Sequence, residues 1–466
     1  MASRNFREFG LSSSGRLLAA LISALIITSC GGGGDLSIQP PPAYSLGGTV
    51  SGLVGSRLML QVNGVASGAI GYAGNGTYFS IAGSDYAPGT AYNVTVQTQP
   101  TNPSQTCVVA NGTGSVSSSG VTNITVTCTT NPARFVYVAN GGSNDISAYT
   151  IDTKSGALTA ITGSPFSAGN GPDSIEVDPT GEFAYVTNGG DSTISAFTID
   201  RGNGALVAVS GSPFATGAAP TSIAIDPSSS FVYVSSGNAG TVSAYKITAS
   251  TGTLTPVTAS PFAAGTASSS VTVDPSGMFV YVANQADGTV SAFTLDTSCG
   301  ALTAVSGSPF ATGTGPRSLS VDPSDQYLYV ANATSNSLSA FSISEGTGAI
   351  AAISGSPFVT GSSPSSVAVD PLDTFVYVTN HSSNNTSAYA LGAGGSLTAL
   401  PDSPVAAGGE PSAVAVDPTG RFVYVANSGS GTVSVFAITG SMGALSAVSG
   451  SPYAAGSLPS AIAISD

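Results

Sequence analysis

The chain has 466 residues, of which only 7% are charged and 41% are hydrophobic, with 59 Gly and 28 Pro. The net charge of −14 comes with ten basic residues scattered along the sequence, which excludes the basic stripe that nucleic-acid binding needs. Apolar residues alternate as in half-buried strands, which excludes a disordered chain, and the length leaves room for two or three domains.

Residues 1–29 read as an export signal. Arg4, Arg7 and Arg16 give it a positive start, and Leu17 to Ile27 is apolar but short for a membrane span. The stretch ends in Ile27-Thr28-Ser29-Cys30, which resembles a bacterial lipobox. That resemblance implies cleavage before Cys30 and acylation of its thiol and new amino group. Each buried methylene contributes about 0.8 kcal/mol, so several acyl chains hold a domain at a membrane stably. Gly31 stands where some bacteria place an inner-membrane retention Asp, so the resemblance points to the outer membrane. The expected partner here is thus the membrane, reached through the lipid. Residues 30–45, with Gly31 to Gly34 and Pro40-Pro41-Pro42, form a tether.

Residues 46–130 predict a small antiparallel, immunoglobulin-like β-sandwich. Strand-like runs fall at 48–53, 57–62, 77–82, 92–98, 106–109 and 122–128, separated by Gly, Asn and Pro. Cys107 and Cys128 are expected to pair in an oxidising compartment and to tie the last two strands, a gain of about 2–4 kcal/mol. Cys299 replaces Ser155 of the first repeat in a turn with no basic neighbour, and reads as a drifted serine rather than a nucleophile.

From residue 131 to 466 one unit recurs seven times. Its opening aromatics are Phe135, Phe183, Phe231, Phe279, Tyr327, Phe375 and Phe422, spaced 48, 48, 48, 48, 48 and 47 residues apart. Each copy carries four short strand patterns, so the expected fold is all-β, a seven-bladed β-propeller. The innermost-strand pattern precedes copies two to seven but not copy one, where Asn131-Pro132-Ala133 stands. The missing copy is Ser460 to Ile464, so the chain's two ends are expected to pair and close the ring.

Catalytic signatures are scarce. There is one His and no Trp, HExxH, Walker loop or CxxC pair, so neither a metal nor a cofactor is expected. In a ring of similar blades, a specific site arises where one copy departs from the others. The loops entering the innermost strands bring Asp173, Arg317 and Glu410; the loops after the second strands bring His381, Asp145, Asp191, Gln285 and Asp287. Glu176 interrupts a position held elsewhere by Ala224, Thr272, Ser320, Ala368, Ala415 and Ala463. All are expected at one mouth of the ring. There Arg317 suits a carboxylate or phosphate, His381 proton transfer, and Glu176 or Glu410 a base. Against this stands the tendency of exposed loops to collect charges, and the expectation that these blades are dispersed around the ring.

The F-V-Y-V-[AT]-N, G-A-L and S-x-V-D-P pattern resembles the lactonase-type seven-bladed propellers and the YVTN-repeat surface proteins, over residues 131–466. The resemblance implies the propeller fold. It also implies a His, Glu and Arg cluster in the central mouth, as in the 6-phosphogluconolactonases and a muconate-lactonising enzyme of that group. The sequence reading puts first a binding or surface-display module for a protein or glycan, because fold alone does not fix function. The alternative is a lactone hydrolase.

Overall fold

The computed structural model describes residues 44–54, 58–70, 77–81, 86–100, 105–131, 134–440 and 443–465. The expected leader, Cys30 and most of the tether lie outside them.

The first eight strands form two four-stranded sheets. One orders Thr77–Ser80, Leu46–Ser51, Val121–Thr130 and Gln105–Ala110; the other orders Val65–Ile70, Leu58–Val62, Ala91–Thr98 and Thr113–Ser115. Leu46, Leu58, Leu60, Val94, Ile124 and Val126 fill a common core. Cys107 and Cys128 face each other across paired strands and form a disulfide, with Cα atoms 4.0 Å apart. The arrangement is not wholly antiparallel as expected, because Leu46–Ser51 runs parallel to Val121–Thr130. These two strands are about 70 residues apart, so no hairpin dictates their relative direction. Two strands escaped the sequence reading. Val65–Ile70 and Thr113–Ser115 each contain Gly and Ser, which weakens the strand signal.

Seven five-stranded sheets follow. In the third, Pro220–Ile225, Phe231–Ser236, Thr241–Ile247 and Leu254–Pro256 lie antiparallel in that order, and Phe262–Ala263 returns against the third strand. Every residue of the second strand is buried, in this blade and in most others, because neighbouring blades cover both of its faces. The F-V-Y-V run is therefore continuously apolar, while the innermost and outer strands mix buried and open positions.

Three repeated contacts explain the sequence motif. First, each motif Tyr is fully buried and donates its hydroxyl to a glycine carbonyl in the next blade: Tyr137 to Gly204 at 2.9 Å, Tyr185 to Gly252 at 2.9 Å, and around the ring to Tyr424 and Gly156. Second, that glycine takes positive φ, +70° at Gly252, and a Cβ there would lie 2.4 Å from the Phe183 ring of the preceding blade. The G of G-A-L is thus required by backbone conformation and by the approach of an aromatic ring. Third, the Asp of each described Asp-Pro turn is buried and accepts at least two backbone N–H groups, as Asp226 does from Ser230 at 2.7 Å and Phe231 at 2.6 Å, with Ser228 as a third at 3.1 Å. Six of the chain's 24 acidic residues are spent on this turn chemistry.

The last strand, Pro459–Ser465, lies antiparallel against Phe135–Asn140 and is the innermost strand of the first blade. Ile462 and Ile464 pack beside Val136 and Val138.

Candidate functional site

Each innermost strand has a register shift at its second residue. A bulge re-aims the side chain at that position. At five of the seven blades this residue is Ser or Thr, and its hydroxyl donates to the first carbonyl of the next blade's innermost strand. The pairs are Thr221 to Ser268 (2.7 Å), Ser269 to Pro316 (2.8 Å), Ser365 to Pro411 (2.7 Å), Ser412 to Pro459 (2.7 Å) and Ser460 to Pro172 (2.6 Å). The two remaining positions are Asp173 in the second blade and Arg317 in the fifth. Neither side chain makes this clasp, so both are released to face the mouth.

Two further rings of positions surround the same opening. The residue after each second strand donates its N–H to the carbonyl of the residue before the innermost strand, as His381 does to Ser363 (3.0 Å) and Ser428 to Glu410 (2.9 Å). In the first of these rings the residues are Gly141, Gly189, Gly237, Gln285, Ala333, His381 and Ser428. Gln285 and His381 alone bring long polar side chains. The second ring holds Leu458, Gly171, Ala219, Ala267, Gly315, Ser363 and Glu410, all at positive φ. A left-handed conformation suits glycine and costs a larger residue about 1 kcal/mol or more. Glu410 is fixed there at φ +51° by three bonds: its N–H to Asn384 Oδ1 (2.7 Å), and its carbonyl from the Ser428 N–H (2.9 Å) and hydroxyl (2.7 Å).

Together these rings enclose a cavity of about 930 Å³ lined by Asp173, Gln285, Arg317, His381 and Glu410, with serines and a threonine between them. Arg317, His381 and Glu410 belong to the fifth, sixth and seventh blades, which are consecutive. The expected dispersion around the ring therefore does not hold for these three, because the loop after one blade's second strand lies beside the entry to its own innermost strand. Asp145, Asp191 and Asp287 are absent from the cavity wall. Asp145 accepts from Asn140 Nδ2 (2.7 Å) and the Ser143 hydroxyl (3.0 Å); Asp191 holds the Asn170 N–H (2.7 Å) and Asp287 the Thr266 N–H (2.6 Å). These three fasten loops. A second cavity, of about 660 Å³, is lined by Asp178, Glu182 and Lys246, and its Asp178 is committed to an Asp-Pro turn.

The electrostatics separate the charged groups. Among the described residues no carboxylate reaches ion-pair distance of Arg317; its side chain is exposed to the open cavity, and partial desolvation by the surrounding wall pulls its guanidinium below the ordinary value. It stays a cation, since arginine does not deprotonate in proteins. The same wall pushes Asp173 up to about 6. Glu176 does not line the cavity. It sits on the second blade's innermost strand opposite Tyr185, with its side chain exposed to solvent inside the ring. Desolvation by the protein around it, with no cation or donor to offset it, pushes its carboxyl up to about 7.

Because the folded-state value lies above the ordinary 4.5, stability from the protonated form is present below pH 4.5 and is lost as pH rises through 7. Glu176→Gln is therefore expected to stabilise the protein at pH 8 by about 1 kcal/mol, after discounting for solvent contact. The gain should vanish by pH 4, as read from urea unfolding at the two pH values. An equal gain at both would assign the effect to packing.

The sequence matches the family "Lactonase, 7-bladed beta-propeller" over residues 94–213, 161–264, 258–360 and 308–458. Among solved structures, a protein of Bacteroides uniformis provisionally described as a 6-phosphogluconolactonase superposes with a TM-score of 0.64 at 18% identity, over 72% of this chain and 100% of the other. The periplasmic gluconolactonase of Pseudomonas aeruginosa superposes with a TM-score of 0.61 at 19% identity, over 72% of this chain and 99% of the other. At these identities the likeness is one of fold. No curated protein matches the chain by sequence.

Proposed function

The chain belongs to the lactonase family of seven-bladed β-propellers, and from that premise we propose that it is a lactone hydrolase acting in the mouth of the ring. The observation that carries this reading is the placement of Arg317, His381 and Glu410 on three consecutive blades around one cavity. Each stands at a ring position where most other blades have a small residue. Family membership favours this reading over a binding or surface-display module, which needs no such convergence.

In the proposed reaction a water attacks the lactone carbonyl carbon while Glu410 or His381 takes its proton. The carbonyl oxygen becomes an oxyanion facing Arg317. The ring C–O bond then breaks, and the departing oxygen takes a proton back, giving the hydroxy acid. Glu410 suits the base because its backbone is held in a strained conformation by three hydrogen bonds, so its side chain has a defined origin.

Export remains part of the proposal. The Cys107–Cys128 disulfide fits an oxidising compartment, and a lipid on Cys30 would hold the protein at the outer membrane.

The purified protein should hydrolyse lactones well above the spontaneous rate. Glu410→Gln and His381→Ala identify the base: loss of about 10²-fold in kcat is expected for the group that takes the proton. Retention of full activity in both would remove them from the mechanism.

A further inference from the structure

We infer that the mouth selects an uncharged, polyhydroxylated lactone and rejects a phosphorylated one. The inference rests on the hydrolase reading and names the substrate class of that site.

The first support is the charge inventory. Arg317 is the one cation on the described wall of the cavity, against the carboxylates of Asp173 and Glu410. Arg134, Lys154, Arg201, Lys246 and Arg421 do not line it. Hydrolysis develops a single negative charge on the carbonyl oxygen, and Arg317 is matched to that charge. A phosphate ester adds a charge of about −1.5 to −2 at neutral pH, for which no second cation is present. Away from Arg317 and Glu410, the charged side chain on the described wall is the carboxylate of Asp173, three blades from Arg317.

The second support is the geometry of the hydroxyl wall. Ser174, Ser222, Ser318 and Ser366 line the cavity, and each Oγ accepts the N–H of the next blade's innermost strand: Ile223 (3.4 Å), Val271 (3.2 Å), Val367 (3.2 Å) and Val414 (3.3 Å). With the oxygen fixed as acceptor, each hydroxyl proton is left to donate to a ligand. These donors come from two sides of the ring and suit the oxygens of a polyol. Neutral donors of this kind do not offset a dianion as a lysine or arginine clamp would.

The test compares glucono-1,5-lactone with its 6-phosphate on the purified full-length chain. The expected kcat/KM is about tenfold or more higher for the uncharged lactone, a preference that shrinks between about 0.05 and 0.5 M salt as screening weakens the repulsion. Asp173→Asn should move the ratio toward the phosphorylated lactone by about threefold, the scale expected of one screened charge. A wild-type preference for the phosphorylated lactone, or a ratio that neither salt nor Asp173→Asn moves, overturns the inference and leaves the hydrolase reading intact. Hydrolysis of neither lactone overturns the hydrolase reading. Calorimetric titration with gluconate and 6-phosphogluconate then decides the charge selection by itself. Binding of gluconate alone supports it; binding of the phosphorylated acid, or of neither, removes it.

Discussion

Arg317→Ala is expected to lower kcat/KM for lactone hydrolysis by about 10²–10³-fold, the loss found when a donor facing a developing oxyanion is removed. Arg317 stands where five other blades carry a Ser or Thr that clasps the next blade, and it makes no such bond itself. Its side chain therefore does not hold the ring together, and the variant's urea midpoint should match the parent's. That separation is the useful part of the experiment. A large fall in kcat with an unchanged midpoint places the guanidinium at the reacting atoms. A fall confined to KM would make it a binding group for the ground state. Arg317→Lys keeps the charge but loses the planar fork, and intermediate activity is expected. Unchanged turnover in Arg317→Ala would overturn the proposed mechanism.

Deletion of residues 459–466 should cost more than any point substitution in the propeller. The strand Pro459–Ser465 pairs with Phe135–Asn140 and places Ile462 and Ile464 in the cluster shared by the first and seventh blades. Each ladder hydrogen bond contributes about 0.5–1.5 kcal/mol net, and each of the half-buried isoleucines a part of the roughly 1.5–3 kcal/mol that full burial gives. Their sum is comparable with the 5–15 kcal/mol that separates a typical folded domain from its unfolded state. The deletion also exposes Phe135–Asn140 as an apolar edge, which invites association between chains. The expected result is loss of the cooperative thermal transition and aggregation on size-exclusion chromatography. Ser460→Ala provides the mild counterpart. It removes only the hydroxyl bonds to Pro172 and Ala139, at a cost of about 1 kcal/mol. A truncated chain that melts with the parent's midpoint would show that ring closure does not depend on this strand.

Much of the propeller was legible because its physics repeats. The 48-residue period, the buried F-V-Y-V run and the Asp-Pro turns are local signals, and each is read seven or nearly seven times. The missing innermost strand of the first copy and the surplus copy at Ser460 to Ile464 could be matched by register alone. The site was legible only in part. Departures from the repeat singled out Arg317, His381 and Glu410, and their blade numbers were already implicit in the spacing. What the residue types could not distinguish was Asp191 and Asp287, which hold loop N–H groups, from Asp173, which holds none and faces the cavity. Any of the three could cap a loop or line a mouth; the direction of the side chain decides, and the bulge that sets it for Asp173 leaves no mark in the composition.

The amino-acid sequence by itself therefore determined the number of blades, the order of their strands and the short set of residues that break the symmetry, because periodicity and turn chemistry are properties of neighbours along the chain. Only the tertiary structure decided which of those residues share a cavity and which carry unpaired charge. It alone set Leu46–Ser51 parallel to Val121–Thr130, and it alone brought Asp173 and Arg317 to the wall of one cavity. Those outcomes depend on contacts between segments remote in sequence, where hydrogen-bond geometry and burial arise from packing rather than from the local run of residues.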